Sequence, residues 1–179
     1  MLRRTERKSQ DITILITRFK ITIHYNTYVR PLLEHCSPVW APYHKYLIDK
    51  IEHVQRYFTK RIPGMWNISY NNRLILLGLK SLEFRRVVCD LTMCYKILNG
   101  YIDTSLRNLF TVKTYQRTRG HDLRLNFRLC SRDISKYMFT NRSIKLWNSL
   151  PSHVVHAASV NSFKKNLYTL NGSDFDLNL

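Results

Sequence analysis

Acidic residues are scarce: 12 Asp and Glu stand against 29 Lys and Arg in 179 residues, a formal net charge of +17. An ordinary soluble surface mixes both signs, so an excess of this size predicts a polyanionic partner. Glycine and proline are also few, five of each, which excludes a collagen-like or linker-dominated chain. The four cysteines (Cys36, Cys89, Cys94, Cys130) form no C-x-x-C pair. They do not read as a disulfide framework and suit a reducing compartment, so the expectation is a nuclear or cytoplasmic protein rather than a secreted one. No run reaches about 18 uncharged apolar residues, and no membrane span is expected. At 44% hydrophobic and 12% aromatic, the chain is too apolar for a disordered polycation.

Catalytic signatures are missing as well. There is no G-x-S-x-G elbow, and the seven histidines are scattered without a supporting motif. The glycines (Gly64, Gly78, Gly100, Gly120, Gly172) never cluster, which excludes phosphate-cradling loops. His35-Cys36 lies inside an apolar stripe and reads as a core pair rather than a nucleophile with its base. Cys89 and Cys94 would be separated by about 140° around a helix and do not suit one tetrahedral ion. His153 and His156 share a helix face, but two further ligands are not evident. No Asp-Asp pair is present to hold two divalent ions. The expectation is no catalytic residue, no metal and no cofactor in this chain, and no small-molecule substrate.

The first residues carry Arg3, Arg4, Arg7 and Lys8, read either as a solvated basic tail or as a nuclear-import patch. The apolar run Ile12–Ile16 is shorter than a signal-peptide core and no small-residue cleavage site follows. Phe19, Ile21, Ile23 and Tyr25 alternate with Lys20, Thr22 and His24, which predicts a strand over 12–25.

From Tyr28 onward the apolar spacing is helical. Val29, Leu32, Leu33, Cys36 and Trp40 recur at three and four, with Pro31 near a first turn and Pro38 as a kink or end. Leu47, Ile48, Ile51, Val54, Phe58 and Ile62 form one stripe; Lys50, His53, Arg56, Lys60 and Arg61 lie largely off it, and Pro63-Gly64 is the stop. A short helix from Tyr70 to Leu77 is expected, capped by Ser69 and closed by Gly78. Ser81 then opens the strongest helix, to about Asn99, with Phe84, Val87, Val88, Leu91, Cys94, Tyr95 and Leu98 inward.

The character changes after Asp103. Residues 113–145 carry nine Lys or Arg against Asp122 and Asp133. Leu123, Leu125 and Phe127 alternate with charged or polar residues, which predicts a short strand or hairpin. Helices are expected again from Asn141 to Leu150, ended by Pro151, and from a Ser159 cap through Val160, Phe163, Leu167 and Leu170. The fold class expected is mainly α: a compact helical unit followed by a basic α+β C-terminal segment. The divisions are a basic N-terminal segment (1–27), the helical unit (28–112), the basic segment (113–170) and a frayed tail (171–179). Tyr115, Phe127, Tyr137 and Phe139 fall among the cations, an arrangement able to track phosphates and stack bases, although each aromatic taken singly reads as core.

The ordered blocks VRPLLEHCSPVWAPY (29–43), IDKIEHVQRYFTKRIPG (48–64), GLKSLEFRR (78–86), YKILNG (95–100), RTRGHDLRL (117–125), NRSIKLWNSLP (141–151) and SVNSFKKNL (159–167) resemble the region C-terminal to the palm in Jockey-type non-LTR retrotransposon reverse transcriptases. The resemblance runs from about 29 to 170 and is poorest over 1–27, where such relatives are usually helical. It implies a parent protein that copies RNA into DNA, with magnesium held by palm aspartates in an aromatic-Ala-Asp-Asp turn. That turn is absent from these residues, and its counterpart would lie upstream of Met1. The implied reading is a fragment: thumb-like helices plus a basic tail, unable to polymerise alone.

Its implied partners are RNA or DNA backbones and upstream polymerase domains. The phosphate contacts expected are Arg117, Arg119, Arg124, Arg128, Arg132 and Arg142, with Lys60 and Arg61 from the helical unit, giving position rather than base sequence. Trp40, Trp147 and Phe163 are assigned to packing. The rival readings are an orphaned protein-interaction module with an exposed patch around Val29 and Leu33, and an anionic-membrane binder using its amphipathic helices.

Overall fold

A computed structural model describes residues 2–102, 104–113, 120–127 and 129–170, with side chains from residue 13 onward except those of Thr104 and Arg107. The helices are α1 (Leu2–His24), α2 (Arg30–Glu34), α3 (Ser37–Trp40), α4 (Lys45–Lys60), α5 (Tyr70–Leu77), α6 (Leu82–Leu98), α7 (Asp133–Tyr137), α8 (Phe139–Ser149), α9 (Ser152–Val155) and α10 (Val160–Thr169). A π-helical turn (Tyr25–Val29) joins α1 to α2, and a 3-10 turn spans Thr104–Leu109. The protein is mainly helical, as its periodicity implies.

Two expectations are corrected. The strand expected over 12–25 is helix. In α1 the β-branched hydroxyls bond one turn back, Thr17 to the Thr13 carbonyl at 2.8 Å and Thr22 to the Arg18 carbonyl at 2.8 Å. Arg18 also donates to the Pro63 carbonyl at 2.9 Å, and Tyr25 is wholly buried. These helical and tertiary contacts outweigh the local β propensity. The C-terminal strand or hairpin is likewise not formed among the described residues; only an isolated antiparallel bridge joins Val112 to Leu125.

The chain forms two compact units by contact: residues 1–35 with 44–85, and residues 36–43 with 86–179. This differs from the division by charge at 112/113. Helix α6 passes from the first unit into the second, so the charge step and the packing step fall at different places.

In the first unit Ile62, Met65, Leu74, Leu79, Leu82 and Phe84 are buried together with four polar side chains, Glu52, Gln55, Thr59 and Arg73. Gln55 accepts from the Tyr25 hydroxyl at 2.9 Å and donates to Tyr70 at 2.9 Å and to the Lys80 carbonyl at 3.0 Å. Tyr70 donates in turn to Glu52, and the other Glu52 oxygen accepts from the Leu82 backbone N–H at 2.9 Å. Glu52 therefore caps the start of α6, where helix N–H groups lack partners. Burial raises both phenols, with Glu52 adding to the shift, so each hydroxyl stays protonated as a donor. α5 begins and ends as its sequence requires: Ser69 accepts from the Asn72 N–H, and Gly78 takes the left-handed conformation.

The second unit is built on the rest of α6, whose Val87, Val88, Leu91, Cys94, Tyr95 and Ile97 are buried with Trp147, Val154, Phe163 and Leu167. Tyr95 stacks on Phe163 at 4.4 Å and donates to the Ala157 carbonyl at 2.5 Å, tying α10 to α6 within that unit.

Candidate nucleic-acid interface

The residues around Leu123 and Leu125 are held without a sheet. Leu125 gives its backbone N–H to the Asn148 side-chain oxygen at 2.8 Å, and its carbonyl accepts from the same amide at 2.9 Å. One carboxamide thus satisfies both backbone groups of a residue that a neighbouring strand would otherwise pair. Trp147 donates to the Leu123 carbonyl at 2.8 Å, and the buried His121 ring lies edge-on to Trp147 with Nε2 at 3.0 Å from the Trp147 carbonyl. Burial lowers the His121 pKa, opposed by that backbone bond, which favours a neutral ring donating from Nε2. The WNSLP block therefore holds the GHDLRL block in place.

The expected phosphate contacts separate into groups. Arg142 is 7% exposed; its Nε and Nη2 meet Asp90 at 2.7 and 3.1 Å, Nη2 also donates to the Pro38 carbonyl, and Nη1 to the Tyr137 carbonyl. This removes Arg142 from any surface a phosphate can reach. Burial raises the Asp90 carboxyl and the guanidinium opposes the rise. Arg124 is half-buried, folded over Gly120, where a Cβ would lie 2.7–2.9 Å from its guanidinium. Gly120 allows that close approach; a side chain there would push the guanidinium aside. Arg132, Lys60 and Arg61 are exposed. Arg117, Arg119 and Arg128 lie outside the described residues.

The interleaved aromatics pack rather than point outward as a set. Tyr137 stacks on Tyr43 at 4.2 Å, Phe139 meets Phe110 edge-on at 5.9 Å, and Lys145 sits over Phe127 at 5.6 Å; Tyr115 lies outside the described residues. Two packing expectations are corrected. Trp40 is 40% exposed and lines a largely apolar groove of about 510 Å³ with Tyr43, Ile134, Met138 and Phe139. His35 and Cys36 are exposed rather than core, because the helix breaks there with Cys36 in the left-handed region at φ 53°.

Among the described residues, most acidic side chains are engaged within the chain. Glu34 pairs with Arg85, Asp90 with Arg142, Asp49 and Glu83 with Lys45, and Asp122 with His156 at 2.6 Å, while Glu52 caps α6. Accepting from His156 holds the Asp122 carboxyl below its usual range.

Two of the expected contacts, Lys60 and Arg61, stand on a surface whose exposed rings, Tyr46 and Tyr57, the sequence reading did not join to them. Tyr46, Lys50, His53, Tyr57 and Lys60 of α4 and Arg61 at its C-terminal cap are all exposed. Lys50 lies 5.9 Å from the Tyr46 ring centroid and Arg61 4.1 Å from that of Tyr57. From Tyr46 to Lys60 the spacing of four, three, four and three is the helical repeat, and Arg61 follows directly.

Among the described residues no three His, Cys, Asp or Glu side chains gather as a metal site, and no helix is long and apolar enough to cross a membrane. No family model matches the chain, and no solved structure does. An uncharacterized protein of Caenorhabditis elegans is 33% identical over 79 residues, a match covering 42% of this chain. The chain covers 40% of that relative's length.

Proposed function

We propose that this chain is the post-palm segment of a retrotransposon-type RNA-directed DNA polymerase and acts without catalysis of its own, holding the sugar–phosphate backbone of RNA or DNA. The supporting observation is the disposition of charge. Six of the few carboxylates are engaged in internal pairs or a helix cap, while Lys50, Lys60, Arg61, Arg132, Lys145, Lys164 and Lys165 are exposed. Among the described residues these outward cations exceed the exposed unpaired carboxylates, as sequence-independent phosphate binding requires. Arg132, Lys60 and Arg61 are the assigned contacts among described residues; Arg117, Arg119 and Arg128 complete the set, and Arg124 contributes less because it is folded back. The resemblance of the ordered blocks to non-LTR reverse transcriptases supports the polymerase assignment.

A second reading, an orphaned protein-interaction module, is favoured by the apolar side chains left open in the first unit. Leu15, Phe19 and Ile23 of α1 with Leu76 of α5 line a groove of about 410 Å³ and are exposed. Binding of the full chain to labelled RNA, duplex DNA and anionic vesicles at about 50 mM salt separates the readings. Nucleic-acid binding with little vesicle binding supports the proposal. Weak binding to every polyanion leaves the interaction module, and nucleotide incorporation by this chain alone contradicts the non-catalytic assignment.

A further inference from the structure

We propose that the outer face of α4 is a stacking track for single-stranded nucleic acid; this rests on the nucleic-acid reading above and names the form of the partner. Tyr46, Lys50, His53, Tyr57 and Lys60 recur at helical spacing, so at about 100° per residue they share one face, centred opposite the buried Gln55. Tyr46 is 60% and Tyr57 49% exposed. From Tyr46 to Lys60 the face runs about 21 Å along the axis.

Charge on this face is of one sign. Asp49 and Glu52 are the acidic residues of α4. Asp49 sits at the flank, 3.7 Å from Lys45, and Glu52 points inward to Tyr70 and the Leu82 N–H. A helix face that merely keeps a protein in solution mixes acids with bases at i and i+4; this one alternates rings with cations instead.

That alternation discriminates between forms of nucleic acid. A duplex offers phosphates but hides its base faces in the stack, so exposed rings gain little from it. An unpaired strand offers both, and every base has a face to lay against a ring. The Tyr57–Arg61 pair, 4.1 Å apart, is a preformed stack whose guanidinium plane can carry a base on its outer side. Lys50 lies where the backbone of such a strand would pass between Tyr46 and Tyr57, and Lys60 lies just beyond Tyr57.

The test is fluorescence anisotropy of the full chain with a labelled oligo-uridine of about 12 nucleotides and with a duplex of equal length. The double variant Tyr46→Ala/Tyr57→Ala is expected to lose about tenfold in single-strand affinity, with its salt slope and duplex binding unchanged. Lys50→Ala/Lys60→Ala is expected to lower the slope by about 1.4 on the single strand and about 1.8 on the duplex. Tyr46→Phe/Tyr57→Phe keeps both rings and should keep the affinity. Wild-type affinity in the double Ala variant, or an equal loss with Phe, would overturn the stacking track. If salt-dependent binding persists in that case, the proposed function survives; wild-type protein that binds neither nucleic acid overturns both.

Discussion

Arg142 donates to both carboxylate oxygens of Asp90, at 2.7 and 3.1 Å, across 52 residues of chain. The same guanidinium bonds the Pro38 and Tyr137 carbonyls, so one side chain gathers residue 38, helix α6 and the turn before α8 within the second unit. Arg presents this many donors in a fixed fork, which Lys cannot reproduce.

Arg142→Ala should therefore destabilise the protein by about 3–5 kcal/mol, because it strips the buried Asp90 carboxylate of its bidentate guanidinium partner. Arg142→Lys should recover little of the loss. Arg132→Ala, at an exposed position, should change stability by no more than about 0.5 kcal/mol. Urea unfolding of the three variants checks the contrast. Equal and small effects would contradict a structural Arg142.

Replacement of the Trp147–Asn148 pair should loosen the segment these residues hold. Trp147 is wholly buried, so Trp147→Ala should cost about 3–5 kcal/mol. Asn148→Ala removes both partners of the Leu125 backbone and should cost about 1–3 kcal/mol. In hydrogen exchange the Leu125 amide should lose protection in Asn148→Ala before the amides of α6 do.

Stability should fall as the solution becomes acid, in part through His121. Burial lowers its folded pKa below the unfolded value of about 6.5. The unfolded chain then binds the proton more readily, so the contribution is fully present above about pH 6.5 and is lost as pH falls through the folded value. His121→Gln, which keeps an N–H donor, should flatten the difference in unfolding free energy between about pH 7.5 and 5.5 relative to wild type. A ring resonance titrating at or above the ordinary histidine value would contradict the assignment.

Much of the helical architecture was legible from spacing and punctuation: Ser69 and Gly78 bound α5, and Ser159 caps α10, accepting from the Ser162 N–H. What failed did so for identifiable reasons. The alternation at 19–25 is a β pattern locally, but it could not reveal that Arg18 would find Pro63 or that Tyr25 would find Gln55. Leu123, Leu125 and Phe127 alternate like a strand, yet an Asn side chain rather than a partner strand satisfies Leu125. The polar interior of the first unit was invisible because Glu52, Gln55 and Arg73 read as surface residues until their partners are placed around them. For the candidate interface, net charge supports the proposed class of partner, whereas the sorting of individual arginines needed burial: Arg142 and Arg132 look alike in sequence, yet one is buried and the other exposed.

In this account the described carboxylates are mostly held in ion pairs or a helix cap while exposed cations are left to meet phosphate. The most direct test is the salt dependence of full-chain binding to a single-stranded RNA, taken as the slope of log Kobs against log salt. A slope on the order of −4, as about five or six neutralised phosphates give on a single strand, is the predicted result. A slope near zero, or no binding at about 50 mM salt, would contradict it.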